Sequence, residues 1–361
     1  WAFPRAWGQF ARSGGDVLRQ RAQTQRLRAR GRTDQDLYAV ARQTPLPKLD
    51  NGMPCLTIED ITGYYAPLSP ILAARRVLIV SPDVVNSRMA GPGIRYWELA
   101  HVLGRRLDVT LAVPGSCDMV GEGFRVAPYE IGQRETLQRM VSRADVVVAS
   151  GYILHEFPFL KEVEKPLAID LYDPFIIENL HFHADKPLLD RATIHSNDLA
   201  VVNDQLQAGD FFVCASEKQR DYCLGLLMAN NRVNPYTWDQ DRALRRLIDV
   251  VPFGLRSRCP RSSGTGLKGH YPGITADDRV ILWGGGIWEW LDPLTAIRAM
   301  DQVIQACPKA KLFFIGTNHP NTNFPASRMA SRAIELCREL GMLDRCVFFN
   351  DWTPYQERER Y

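Results

Sequence analysis

No two of the 8 cysteines form a C-x-x-C pair, so neither a zinc ribbon nor a dithiol redox motif is written here. Several sit inside apolar runs such as Phe211-Phe212-Val213-Cys214, which reads as buried, reduced thiols of a cytosolic protein. No stretch approaches the ~20 consecutive apolar residues a membrane span needs. No secretory leader is visible, but the chain starts on Trp1 and closes on Tyr361 in a charged, helix-like run, so both ends read as cut. Short-period repeats are absent, and the composition excludes collagen, coiled coil and wholesale disorder. What remains is 361 residues at 45% hydrophobic, enough for about two domains with real cores.

The charge is unevenly placed. Residues 1–50 carry ten Lys/Arg against four Asp/Glu, although the whole chain is only +3. The run Arg19, Arg21, Arg26, Arg28, Arg30, Arg32 is either a solvated helix or a basic surface for anionic lipid headgroups. Too few aromatics interleave with these arginines for nucleic acid. The expected organisation is a basic helical arm over 1–50 and a Pro-containing linker over 51–75. An N-terminal Rossmann-like domain over 76–250 and a partial second one over 251–361 follow.

From Arg76 on, short apolar runs alternate with amphipathic segments, the signature of βαβ units and a mostly parallel sheet. Strands are expected at Val77–Val80, Val109–Val113, Val146–Ala149, Leu167–Ile169, Phe211–Cys214 and Val250–Leu255. A second series is expected at Val280–Trp283, Lys311–Ile315 and Cys346–Phe349. Near-continuous apolar runs predict burial on both faces. Helices fall at about 95–106, 133–143, 187–208, 216–229, 292–306 and 326–340. The fold class is α/β: two facing Rossmann-like domains, the second with only three strands and so incomplete, which agrees with a cut end.

Ligands of open α/β sheets bind beyond the carboxyl ends of the strands. After the first strand, Gly91-Pro92-Gly93-Ile94-Arg95 lets backbone approach a ligand at a helix start, or is simply a tight turn. It is not a dinucleotide fingerprint, because no third glycine follows three residues on. Asp170 and Asp173 leave another strand; each either orients a sugar hydroxyl or acts as a base, or else only shapes the turn before Pro174. Ser216-Glu217-Lys218-Gln219-Arg220 reads as a capping box, with a cleft-lining role for Ser216, Glu217 and Arg220 as the alternative. Gly284-Gly285-Gly286 directly after an apparently buried strand is harder to attribute to packing. Its backbone N–H groups are suited to a diphosphate, with Trp288 beside it. Gly316 and Asp351, at the next two strand ends, would face the same cleft. Asp34-x-Asp36 and Asp239-x-Asp241 lie in helix-like contexts, and His181 and His183 project to different faces, so no metal is expected.

In order and spacing, Met89-Ala90-Gly91-Pro92-Gly93-Ile94-Arg95 with Glu98-Leu99-Ala100, Ala215 to Arg220, Val251-Pro252-Phe253-Gly254, and Gly284-Gly285-Gly286-Ile287-Trp288 with Asp292-Pro293 resemble glycosyltransferase family 4, retaining enzymes of the GT-B fold. The resemblance covers about residues 76–361. It implies transfer of a sugar, in the manner of a hexosyltransferase, from a nucleotide diphosphate sugar to a saccharide or lipid-linked acceptor in cell-surface glycan synthesis. No cofactor is implied. The location would be cytoplasmic, with peripheral contact at the inner membrane face through the basic arm. On this resemblance Gly284, Gly285, Gly286, Trp288, Gly316 and Asp351 hold the donor. Gly91, Pro92, Gly93, Arg95, Ser216, Glu217 and Arg220 line the acceptor side, and Asp170 and Asp173 do the chemistry. The sequence departs from the family where basic residues normally meet the donor diphosphate, since Glu289 stands there, and where a His normally leaves the fourth strand. The paired-glutamate donor motif would lie beyond Tyr361, so the donor site as given is incomplete and the polypeptide is expected to be inactive by itself. The alternatives are a nucleotide-sugar epimerase of the same fold, a non-catalytic nucleotide-sugar binding module and, disfavoured by the missing third glycine, a Rossmann oxidoreductase. The arm at 1–50 weakly resembles the tail of a preceding family 2 glycosyltransferase domain.

Overall fold

A computed structural model describes residues 76–253, 266–319, 321 and 327–361. The expected basic arm and linker lie outside the described residues, as do Cys55, Cys259 and the Asp34-x-Asp36 pair. The six described cysteines are all free thiols.

The first unit is a seven-stranded sheet in the order β3-β2-β1-β4-β5-β6-β7, parallel throughout. Its strands are β1 Arg76–Val80, β2 Asp108–Pro114, β3 Arg125–Tyr129, β4 Val146–Ser150, β5 Leu167–Asp170, β6 Phe211–Cys214 and β7 Ile248–Val250. The helices are α1 Gly91–Gly104, α2 Arg134–Arg143, α3 Ile153–Glu156, α4 Phe175–Phe182, α5 Leu188–Ala208, α6 Glu217–Ala229 and α7 Pro235–Gln240. Side chains alternate across β1, so one apolar run feeds two cores. Leu78 and Val80 pack with Leu137 and Val141 of α2, while Val77 and Ile79 pack with Tyr96, Trp97 and Ala100 of α1. Burying each such side chain contributes about 1.5–3 kcal/mol. Strand order reverses between β1 and β4, the switch point at which open α/β sheets take ligands.

The second unit is a three-stranded parallel sheet, β10-β9-β8. It comprises β8 Arg279–Trp283, α8 Pro293–Ala306, β9 Ala310–Phe314, α9 Arg328–Glu339 and β10 Val347–Phe349, followed by a 3-10 turn, Tyr355–Arg360. Phe314, Leu312 and Val347 meet Ile297 and Met300 of α8 on one face. Phe313 and Phe348 meet Leu267 and Ile274 on the other. Asp292 caps α8 by accepting from the Thr295 N–H at 3.2 Å, with Pro293 in the first turn.

Three expectations are corrected. The strand β3 escapes the sequence reading because Arg125 and Pro128 break its apolar run; it survives as a sheet edge, where a missing ladder N–H costs little. The strand expected at Val250–Leu255 ends at Val250, before Pro252. The strand β8 is not buried: Ile281 and Leu282 are 45% and 42% exposed, because among the described residues β8 pairs only with β9. Helix α4 is an addition that the sequence pattern does not announce.

Candidate active site

The carboxyl ends of the two sheets are brought together by contacts on two flanks. On one, Arg88, beyond β1, pairs with Asp351, beyond β10, at 3.0 Å. The Tyr355 N–H donates to the Ser87 carbonyl at 2.8 Å, and the Tyr355 hydroxyl donates to Glu98 of α1. The Tyr355 ring is buried in the first unit's core. On the other flank, Arg328 of α9 donates to the Phe182 carbonyl at 2.7 Å and pairs with Asp185. There α4 packs on the 3-10 turn Glu289–Leu291, and the Phe182 and Trp288 rings lie 6.4 Å apart. Between the flanks, Asn321 donates to the Asp83 carboxylate at 2.7 Å.

The Gly284–Gly286 turn meets this cleft through Trp288, which stacks on Trp290 at 5.4 Å and tilts against His319 at 5.7 Å. A Cβ added at Gly284 would meet nothing within 4 Å, and one at Gly285 only Leu291 at 4.0 Å. Packing therefore gives no reason for glycine at either position. Gly286 differs: its carbonyl accepts from the Trp283 indole at 3.0 Å, and a Cβ there would lie 2.5 Å from the Trp288 indole nitrogen. The Ser327 hydroxyl donates to the Ile287 carbonyl at 2.6 Å while capping α9, which fixes the loop's far end.

The other expected site residues fall into two groups. Gly91 has open space around it and Pro92 occupies the first turn of α1. Asp173 stands beyond β5, and Asp351 joins the two units while accepting from Asn318 at 2.7 Å. These four are half-buried or exposed. The rest are held by the fold. Gly93 is buried, and a Cβ on it would lie 2.4 Å from the Val84 carbonyl oxygen. Arg95 and Asp170 form a buried bidentate pair, with Nε donating at 2.6 Å and the second guanidinium nitrogen at 3.0 Å. Arg95 also donates to the Val251 carbonyl at 3.0 Å and lies over the Tyr172 ring. Both Asp170 oxygens are thus occupied, and the carboxylate braces the sheet's exit rather than facing open space.

Ser216 caps α6, accepting from the Gln219 N–H at 3.2 Å, while the Gln219 side chain accepts from Ala215 rather than closing the box on Ser216. Glu217 pairs with Arg245 at 2.8 Å on the surface. Arg220 is buried and donates to the Ile248 and Ala243 carbonyls. Gly316 packs under the Trp352 ring, 2.8 Å from where its Cβ would be.

Electrostatically the cleft is acidic. Desolvation opposes the Arg95 charge, but hydrogen bonding and attraction from Asp170 outweigh it and leave the guanidinium more basic than usual. Burial pushes Asp170 up, partly offset by Arg95. Asp173 hydrogen-bonds to Glu178 of α4, and burial raises the pair to about 6 and about 7. Two carboxyls this close cannot both ionise cheaply, so they hold a proton near neutral pH. Desolvation lowers His319, keeping it neutral. Beside them Tyr152 donates to Asp198 at 2.6 Å, and Asn179 joins both. Among the described residues no group of three or more His, Cys, Asp and Glu side chains could hold a metal, and no helix is long and apolar enough to cross a membrane.

Sequence reading missed Glu178, His319, Asn321, Arg88 and Tyr355. Only Glu178 left a signal, as the residue one helical turn past Pro174. The others reach the cleft through domain docking, which has no local signature.

No protein-family model matches the chain, and no curated protein matches it. Among solved structures it is similar to WaaG, a glycosyltransferase involved in lipopolysaccharide biosynthesis. The identity is 15%, the TM-score 0.51, and the overlay covers 78% of this chain and 71% of WaaG. Looser likenesses are an alpha-glucosyltransferase in complex with UDP and a mismatched 13-mer DNA (9%, TM-score 0.41, 78% and 68% covered) and the S. aureus MnaA–UDP structure (9%, 0.41, 78% and 70%). At that distance neither of these adds to the assignment. The seven-stranded and three-stranded parallel sheets facing each other by their carboxyl ends are the GT-B fold.

Proposed function

We propose that the chain is a retaining glycosyltransferase of the family 4 kind, moving a sugar from a nucleotide diphosphate sugar to a saccharide or lipid-linked acceptor. The observation that carries this is the open backbone at Gly284 and Gly285, at the carboxyl end of β8, without any packing reason for glycine. Backbone N–H groups of that turn would take the donor diphosphate and stabilise the charge that develops as it leaves. Trp288 and Trp290 would shield the bond being broken from water. Asp173, sharing a proton with Glu178, would accept a hydrogen bond from the acceptor hydroxyl. No resident metal or cofactor enters this scheme.

The test is nucleoside diphosphate release from a donor panel, with and without acceptor. Release that depends strictly on acceptor supports transfer. Interconversion of free nucleotide sugars would make the chain an epimerase, and binding without turnover a non-catalytic module. Gly285→Val should weaken nucleotide binding about tenfold or more, the loss of roughly one charge-assisted hydrogen bond, while leaving the melting temperature unchanged. Unchanged nucleotide affinity would remove the donor-turn assignment.

A further inference from the structure

At the opposite end of the first sheet from the cleft lies a concave corner of about 510 Å³. Beside the ten-residue helix α2, the half-buried Thr110 and Ala127 line its floor, with the buried Leu78 beneath. Guanidiniums surround it. Arg76 and Arg125 rise from the strand starts, and Arg139 and Arg143, one helical turn apart, come from α2.

Carboxylates balance two of the four. Asp145 is engaged by Arg76, through backbone N–H and Nε at 3.0 and 3.1 Å, and Asp108 by Arg125 at 2.8 Å. Among the described residues no acidic side chain pairs with Arg139 or Arg143. The helix end that would repel an anion is already answered, because Lys165 donates to the Ala144 and Ser142 carbonyls. The Thr136 and Thr110 hydroxyls add neutral polar groups to the lining.

We propose that this corner is a second binding site, taking a small molecule that carries adjacent phosphoryl groups. The guanidinium forks of Arg139 and Arg143, unpaired among the described residues and side by side on α2, match phosphoryl oxygens in a way that single ammonium groups would not, while Asp145 and Asp108 hold Arg76 and Arg125 across the corner. The concavity and volume suit a sugar-phosphate- or nucleotide-sized ligand rather than a flat macromolecular surface. The site is independent of the sugar-transfer reading, since it shares no residue with the cleft.

The probe is inorganic pyrophosphate, titrated calorimetrically into the full chain at low ionic strength. Three proteins are compared: the unaltered chain, Arg139→Gln/Arg143→Gln made on Gly285→Val so that the donor turn does not take the probe, and Gly285→Val itself. Both arginines lie on an exposed helix face, so replacing them should leave the melting temperature unchanged. Expected are saturable binding to the unaltered chain and to Gly285→Val, and affinity at least about tenfold weaker in the combined variant than in Gly285→Val. Pyrophosphate should likewise raise the melting temperature of the first and third proteins only. Affinity of the combined variant within about twofold of Gly285→Val, or loss of all binding in Gly285→Val itself, would overturn the site. Flotation with phosphatidylglycerol vesicles separates the two sources of this chemistry. Arginine-dependent flotation assigns a lipid headgroup, and its absence assigns a soluble phosphate.

Discussion

Two strands of this molecule have almost the same sequence and opposite surroundings. In β1, Arg-Val-Leu-Ile-Val, Leu78 and Ile79 are 1% and 0% exposed; in β8, Arg-Val-Ile-Leu-Trp, Ile281 and Leu282 at matching positions are nearly half exposed. Each strand is the first in sequence of its parallel sheet. The difference lies in the neighbours: β1 is flanked by β2 and β4, whereas β8 has β9 alone among the described residues. An apolar run therefore states that a strand will form. How many sides of it are covered depends on residues elsewhere in the chain. Two strand exits differ in the reverse sense: Arg95 closes the exit of β5 on Asp170, whereas the backbone after β8 is open at Gly284 and Gly285.

The largest expected effect tests how solidly the first unit's exit is packed. Asp170→Ala strands the buried Arg95 guanidinium without its carboxylate and should cost about 3–5 kcal/mol in chemical denaturation. A loss below about 1 kcal/mol, the surface-pair range, would mean that the exit is open to water after all.

Truncating the matched strand positions tests the comparison itself. Ile79→Ala should cost about 2–5 kcal/mol, since a fully buried side chain leaves a cavity. Leu282→Ala should cost under about 1 kcal/mol, because much of that side chain already meets solvent. Equal losses would show that β8 is covered on its second side in solution.

The glycines give a third contrast. Gly93→Ala drives a Cβ to 2.4 Å from the Val84 carbonyl oxygen and 2.9 Å from the Met89 Cβ, a backbone conflict worth about 1–3 kcal/mol. Gly284→Ala meets nothing and should leave the melting temperature unchanged. These positions also mark what was legible in the sequence. The βαβ order, eight of the nine expected strands within a residue or two, and the open Gly284–Gly285 turn could all be read from local pattern, because period, caps and glycine runs are local properties. The fate of Gly93, Arg95, Asp170 and Arg220 could not. Each looks like a ligand-facing residue at a strand exit, and each is consumed by a partner distant in the chain or across a turn: Val84, Asp170, Arg95 and Ile248. Glu178 was missed for the mirror reason: its one signal, a place one helical turn past Pro174, gains meaning only because α4 sets it against Asp173.

The Asp173–Glu178 pair predicts a pH effect with a definite sign. Burial raises Asp173 above its unfolded value, so its contribution to stability is whole below about pH 4 and is lost as pH rises through about 6. Between about pH 5 and pH 8 the unaltered chain should lose about 1–2 kcal/mol relative to Asp173→Asn. That range follows from about 1.4 kcal/mol for each tenfold change in proton affinity, discounted for coupling to Glu178. Asp83 and Asp170 face the same carboxyl and push in the same direction, while Tyr152 lies beside it. Denaturation curves of the two proteins that stay parallel across this range would show that the two carboxyls do not share a proton.

The smallest effect comes from the second Arg–Asp pair, which joins the two units. Arg88 and Asp351 carry the same charges as Arg95 and Asp170, at 3.0 Å, but their side chains are 51% and 62% exposed. Water screens the attraction, and ordering two exposed side chains costs entropy, so a double-mutant cycle with Arg88→Ala and Asp351→Ala should give only about 0.2–1 kcal/mol of coupling. The pair's carboxylate is nevertheless held below its ordinary range by Asn318 and Arg88, and lowering the pH through that range should release it. Its consequence is domain spacing rather than stability. Arg88→Ala should leave each unit folded and weaken only one flank, since Tyr355 stays seated in the first unit's core and Arg328 still holds Phe182 on the other side. Small-angle scattering before and after the substitution measures this: a slightly larger radius of gyration with an unchanged melting temperature is expected. A drop in melting temperature comparable to that of Asp170→Ala would mean that the exposed clasp carries as much of the fold as the buried pair.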